Sequence, residues 1–273
     1  MKTGVSTRSD LGKLPRSLVR YRSMIWALAL RDLETRYAGT IGGICWAFIH
    51  PVAIVVIFYF VFAVGFRAQG PANAPFILWF VCGLIPWLFF NETLQAITKS
   101  ITSNPHLVKK TVFPTETLPF VHLVSGGGAH AIFLLIFTGL LVFYGVAFRV
   151  ERLAVVYFFV CSCMLLLGFG WLLAALQVFY RDIGHGLAII LNMWFWITPI
   201  VWSPEIMPPN YHNLLFFNPL YYIIEGYRGL LIFDSAAWPS VGATLYFWLV
   251  STLVFMVGSY TFRRLQPEFP DVM

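Results

Sequence analysis

Charge is what this sequence has least of. Only 11% of its 273 residues are Asp, Glu, Lys or Arg, where soluble domains usually carry about 25%. Lysine is scarcer still, with five in the whole chain. A phosphate-cradling G-x-x-x-x-G-K-[ST] loop needs one of them after a glycine. The sole Gly-Lys, Gly12-Lys13, is followed by Leu14 and has Thr7 where the first glycine belongs. An ATPase site in this chain is excluded on that ground. The four cysteines, Cys45, Cys82, Cys161 and Cys163, all lie in apolar runs. Cys161 and Cys163 stand about 200° apart on a helix, which ill suits a shared metal, so all four read as small buried hydrophobes. No nucleophile–base constellation, chain of buried charges or internal repeat is visible. Those absences argue against an intramembrane enzyme and an ion-coupled secondary transporter. The net charge of +6 is not gathered into a soluble patch, so it does not point to nucleic acid. The polar, basic first 23 residues lead to no short apolar core with a cleavage site, and no signal peptide is expected.

What is abundant is apolar surface. Hydrophobic residues make up 59% of the chain and aromatics 18%. About 20 such residues at 1.5 Å rise cross a ~30 Å hydrocarbon core. Six stretches qualify: about Gly43–Phe66, Phe76–Ile97, Thr117–Val146, Leu153–Gln177, Leu187–Trp202 and Val241–Phe262. The second is the weakest, because it must continue through Asn91, Glu92 and Gln95, with Pro86 as an expected kink. The expected fold is an all-α integral membrane protein with six transmembrane helices. An N-terminal segment (1–37) precedes a six-span body (38–262), and a tail (263–273) follows. Fourteen of the eighteen Lys and Arg residues fall before the first span, between spans two and three, between four and five, and in the tail. The positive-inside rule places both termini in the cytoplasm.

Three elements interrupt the apolar pattern. From Leu14, the positions Leu18, Tyr21, Ile25 and Leu28 recur at helical spacing, with Arg16, Arg20 and Arg22 on a basic side. This predicts an amphipathic helix in the membrane interface, serving as an anchor, a docking element or a receptor for anionic headgroups. The second is the loop 98–116, within which Ser103–Phe120, "SNPHLVKKTVFPTETLPF", is a polar island. Pro114 and Pro119 restrain its backbone, and Ser103–Lys110 can form a short helix. The third is the outer segment 204–240. There Asn218-Pro219 starts a helix whose apolar face holds Leu220, Ile223, Ile224, Tyr227, Leu230 and Leu231, with Glu225 and Arg228 as an i,i+3 pair on the other side. At ~14 residues it is too short to span. Two short extracytoplasmic helices before the last span are therefore expected. Within the spans, Glu92, His122 and His130 are the ionisable groups singled out. The histidines read as packing residues, and Gly126–Gly128 as room for close helix approach.

Five stretches in order carry a family resemblance: "LALRDLETRYAGTIGGICWAFIHP", "LIPWLFFNETL", "NPHLVKKTVFPTETLPF", "YRDIGHGLAIILNMWFWITPIVWSPEIMP" and "FNPLYYIIEGYRGLL". Over about Leu28–Leu231 the chain resembles the permease subunits of polysaccharide-exporting ABC transporters of the type-2 exporter fold. Within that group it resembles O-antigen permeases (Wzm-like), with capsule and teichoic-acid permeases near by. The resemblance implies a homodimeric channel in the bacterial inner membrane, driven by two copies of a separate ABC ATPase that bind ATP and Mg. The cargo it implies is an undecaprenyl-pyrophosphate-linked glycan. It makes the polar island a coupling element, with Lys109, Lys110 and Glu116 as contacts; the alternative is that the lysines hold the loop to lipid phosphates. It places Arg16, Arg20 and Arg22 at the lipid-pyrophosphate entrance, and Glu225 and Arg228 on an outer gate helix. Tyr59, Trp194, Trp196 and Trp202 are candidate channel walls, since flat rings let sugar CH faces slide; the plainer reading is an interfacial aromatic belt. A drug or lipid exporter of the same fold would share this architecture.

Overall fold

A computed structural model describes residues 18–37, 45–67, 70–71, 74–109, 113–233 and 238–273. Among these the protein is helical, with no strand. In chain order the helices are α1 (Arg22–Tyr37), α2 (Trp46–Phe58), α3 (Phe76–Lys99), α4 (Pro105–Val108), α5 (Leu118–Phe143), α6 (Val155–Phe179), α7 (Ile183–Ile197), α8 (His212–Phe216), α9 (Pro219–Leu231), α10 (Val241–Leu265) and α11 (Phe269–Val272). Four helical stretches are long and apolar enough to cross a membrane, and they contain α3, α5, α6 and α10. Val52–Gly65 and Ile183–Ile197 are apolar but shorter.

The stretch expected to be the weakest span is the most buried of the four long apolar stretches. α3 runs unbroken through Pro86, and Phe80, Cys82, Phe90 and Ile97 are fully inaccessible. Its polar end, Asn91 to Gln95, is tolerated because Gln95 Nε2 donates to Asn91 Oδ1 at 3.1 Å, one turn back. The helices α5, α6 and α9 pack around it.

α10 lies along α6 at very close range. A Cβ on Gly168 would come within 2.7 Å of the Phe255 backbone nitrogen, and one on Gly258 would collide with the Gly168 carbonyl. Two glycines facing each other let the backbones touch, a device suited to helices in lipid. On α5, Gly126 instead makes room for a side chain, the Thr93 hydroxyl of α3, which a Cβ there would strike.

Two boundaries differ from the sequence reading for identifiable reasons. α7 ends at Ile197, not Trp202, because Thr198 precedes Pro199 and is held extended (φ −82°, ψ 131°), as a residue before proline prefers. After α2 the helix widens into a π-helical turn, Tyr59–Gly65. The tail also folds: α10 continues to Leu265, and α11 buries Phe269 against Phe262 and Phe179, with ring centroids 5.4 and 6.3 Å apart.

Candidate functional site

The N-terminal helix is held by more than lipid. Ile25 and Ala29 are buried against Val121 of α5, with Leu18, Tyr21 and Leu28 alongside. One turn on, Asp32 reaches the same helix, where Ser125 Oγ donates to its Oδ2 at 2.6 Å. His122 Nδ1 stands 3.3 Å from its Oδ1. The apolar stripe Tyr21, Ile25, Leu28 thus continues into an acid, and i,i+4 spacing from Leu28 was the signal that could have found it. Arg20 and Arg22 are exposed, Arg20 lying 5.7 Å from the centre of the Tyr21 ring. Arg16 lies outside the described residues.

At the same end, the polar island caps the bundle. α4 begins at Pro105, and Asn104 Nδ2 donates to the Ser100 carbonyl at 2.9 Å. Val108 is buried in a cluster with Ile97, Ile101, Leu118 and Phe269. Lys109 follows α4 and is exposed, while Glu116 is half-buried in the turn Thr115–Thr117. No ion pair joins Lys109 to Glu116, and Lys110 lies outside the described residues. The platform is a small apolar plug presenting polar groups outward, built jointly by α4 and α11.

The outer element carries the largest departure from the sequence reading. Arg228, expected opposite the apolar face of α9, is fully buried. Its guanidinium lies 3.7 Å from the centre of the Trp79 ring. Nε donates to the Trp79 carbonyl at 3.3 Å, and Nη1 to the Pro199 carbonyl at 2.7 Å. Nη2 donates to the Ile200 carbonyl at 2.9 Å. Nη1 also meets Glu225 Oε1 at 2.9 Å, so the i,i+3 pair does form. Burial pulls the Arg228 pKa below its usual value, opposed by the Glu225 carboxylate. The physical reason for the inversion is supply: after the extended Thr198 the chain offers carbonyls without helical partners, and a planar five-donor cation collects them. Room for it exists because Gly83 has no side chain; a Cβ there would stand 2.6 Å from Nη2.

The expected helix start is present. Asn218 Oδ1 accepts from Leu220 N at 3.1 Å, as an N-cap should. Trp194 Nε1 donates to the same oxygen at 2.9 Å, and Asn218 Nδ2 donates to Thr198 Oγ1 at 2.8 Å. Trp194 is therefore a strut, its ring against Phe90 and Phe169 at 5.7 and 6.1 Å. Trp196 and Trp202 come together through Trp202 Nε1 donating to the Trp196 carbonyl at 2.9 Å. Tyr59 is exposed on the π-helical turn. Trp202 also lines a cavity of about 260 Å³ with Phe62, Phe66, Phe76 and Trp79.

The intramembrane histidine His130 is a packing group. Its Nε2 lies 2.9 Å from Tyr227 Oη, tying α5 to α9, and its ring sits 5.2 Å from Phe159 and 5.0 Å from Phe89. Glu92 is half-buried on α3. No cluster of metal-binding side chains occurs among the described residues.

The described residues thus combine four long apolar helical stretches, a small apolar plug and a short helix locked by a buried arginine. A profile of ABC-2 type transporters matches residues 23–232. The chain belongs to the ABC-2 type transporter family. It is 27% identical over 263 residues to an O-antigen export system permease protein, RfbA, of Myxococcus xanthus, covering 95% of this chain and 98% of the relative. It is 23% identical over 244 residues to an RfbA of Klebsiella pneumoniae, covering 89% and 92%. It is 24% identical over 245 residues to the polysialic acid transport protein KpsM of Escherichia coli, covering 89% and 93%. As an ABC-2 permease the chain is a multi-pass membrane subunit without an ATPase site, and the family implies an ATP-binding partner subunit.

Proposed function

We propose that the chain is the membrane subunit of an ATP-driven exporter that moves an O-antigen-like, lipid-linked polysaccharide out of the cytoplasm. The observation that carries this reading is the family match over 23–232 together with near full-length relatives named for O-antigen export. In this reading α2 and α7 complete six crossings, both termini lie in the cytoplasm, and two copies form the channel across the inner membrane. Two ATPase subunits bind ATP and Mg and dock on the plug carrying Lys109, Lys110 and Glu116. Arg16, Arg20 and Arg22 receive the lipid pyrophosphate at the cytoplasmic leaflet. Tyr59, Trp196 and Trp202 supply ring faces to the glycan, and Trp194 holds the wall behind them. Arg228 fixes α9, with Glu225 beside it, as the outer gate.

Deleting the gene in its native host should abolish surface polysaccharide while lipid-linked polymer accumulates inside, and supplying the chain should restore export. Undiminished surface polymer in the deletion strain sinks the reading. The similarity to a polysialic acid transport protein favours a second cargo, a capsule-type polymer, and chemical typing of the accumulated glycan separates the two.

A further inference from the structure

A second arginine near α9 is buried with no partner among the described residues. Arg152 sits in the 3-10 turn Val150–Ala154 that leads into α6, and it is only 6% exposed. Its Nη2 is shut off from solvent and makes no hydrogen bond. No carboxylate among the described residues lies within ion-pair distance of it. Glu151, its neighbour, is exposed. A guanidinium cannot shed its proton to escape this situation, and an uncompensated buried cation is costly. Among the described residues the site is missing an anion.

What surrounds Arg152 says what kind. It lines a cavity of about 150 Å³ between the end of α5 and the start of α6, whose other walls include Leu134, Leu141, Val142, Val146 and Leu231. The walls are mainly aliphatic, with Phe148 and with Thr138, whose hydroxyl is already spent on the Leu134 carbonyl, and the cavity opens on a strongly apolar surface: Val142 is 67% exposed, Phe148 66% and Leu153 58%. A cationic fork in the wall of a mainly aliphatic groove, on a face that meets lipid, matches one chemistry, an anionic head attached to a hydrocarbon chain. The cavity between α9 and α10 makes a useful contrast. It is walled by Phe216, Tyr221, Tyr222 and Trp238 with the Glu225 carboxylate, and it offers an acyl chain no such aliphatic slot.

We propose that Arg152 and the α5–α6 groove bind a membrane phospholipid, its phosphate on the guanidinium and the upper part of one acyl chain in the cavity. The guanidinium matches a phosphate with two parallel hydrogen bonds. On the topology above, the lipid belongs to the outer leaflet. Leu231, the last residue of α9, lines the cavity, so the lipid also touches the helix that Arg228 locks. The proposal rests on the geometry around Arg152 and does not depend on what the transporter carries.

The test is native mass spectrometry of the full transporter complex released from nanodiscs containing dioleoylphosphatidylglycerol. Wild type should retain one more phospholipid per chain than Arg152→Gln, with at least about tenfold weaker retention in the variant, as for a lost charged hydrogen bond. Arg152→Lys should recover part of it. Dioleoylglycerol in place of the phospholipid should be retained poorly; equal retention would reduce the site to an apolar groove. Inorganic phosphate held as tightly as the lipid would show a free-anion site instead. Should Arg152→Gln not assemble, thermal melting of wild type decides: phosphatidylglycerol must raise Tm more than dioleoylglycerol or phosphate does. Equal lipid counts in wild type and Arg152→Gln overturn the proposal.

Discussion

Replacing Arg228 with Gln should be among the most damaging single changes this protein can suffer, and the structure says why. Gln keeps some length but loses the planar fork, the charge and the stacking on Trp79. Three buried carbonyls, of Trp79, Pro199 and Ile200, lose donors now at 3.3, 2.7 and 2.9 Å, and an unmade buried hydrogen bond costs ~1–3 kcal/mol. A desolvated cation–π contact adds about 2 kcal/mol. Glu225 is 35% exposed, so its share is screened to ~0–1 kcal/mol. The total is at least about 5 kcal/mol, in the range that only a few mechanisms reach. At ~2–4 °C per kcal/mol, the melting temperature of the detergent-solubilised protein, followed by size-exclusion fluorescence, should fall by at least about 10 °C.

A second change tests the cause. Gly83→Ala places a Cβ against Nη2 and should cost ~1–3 kcal/mol as overpacking, because a guanidinium held at four points cannot swing aside. In the Arg228→Gln background the same change should be nearly neutral, since the two sites share one contact. Additive losses in the double variant, or a melting shift under about 2 °C for Arg228→Gln alone, would refute the reasoning.

Reporter fusions after Lys110 and after Phe262 should read as cytoplasmic and a fusion near Asn210 as extracytoplasmic; a cytoplasmic signal at Asn210 overturns the six-crossing layout. Reversing Lys109 and Lys110 to Glu should weaken co-purification of the ATPase or uncouple hydrolysis from export, because truncated buried charge contacts cost ~2–5 kcal/mol. Unchanged docking, hydrolysis and export would make the loop a solvated turn, whereas altered topology with intact hydrolysis would mark a lipid anchor. Changing Arg16, Arg20 and Arg22 to Gln should remove about 1 kcal/mol of phosphate attraction each and impair export with insertion intact. Normal surface polymer in that triple variant leaves α1 as a packing element only.

The apolar periodicity determined most of the helix plan. Runs such as Phe76–Ile97 and Val241–Phe262 reappear as α3 and α10, ending within three residues of the expected limits, because about 20 consecutive apolar residues favour one membrane-length helix. Local chemistry was legible as well, since Asn218-Pro219 is an N-cap and a first-turn proline wherever it lies. What sequence periodicity could not decide is which polar group turns inward. Arg228 reads as the exposed partner of Glu225, yet it is buried because Pro199 and Ile200, 29 and 28 residues earlier, bring their carbonyls to it. Asp32 and Ser125, 93 residues apart, meet only when α1 docks on α5. Trp194 becomes a strut and not a free wall because Asn218 arrives beside it. A span's length follows from the residues within it; the burial of a charge depends on partners supplied by distant segments, and only the folded chain brings those together.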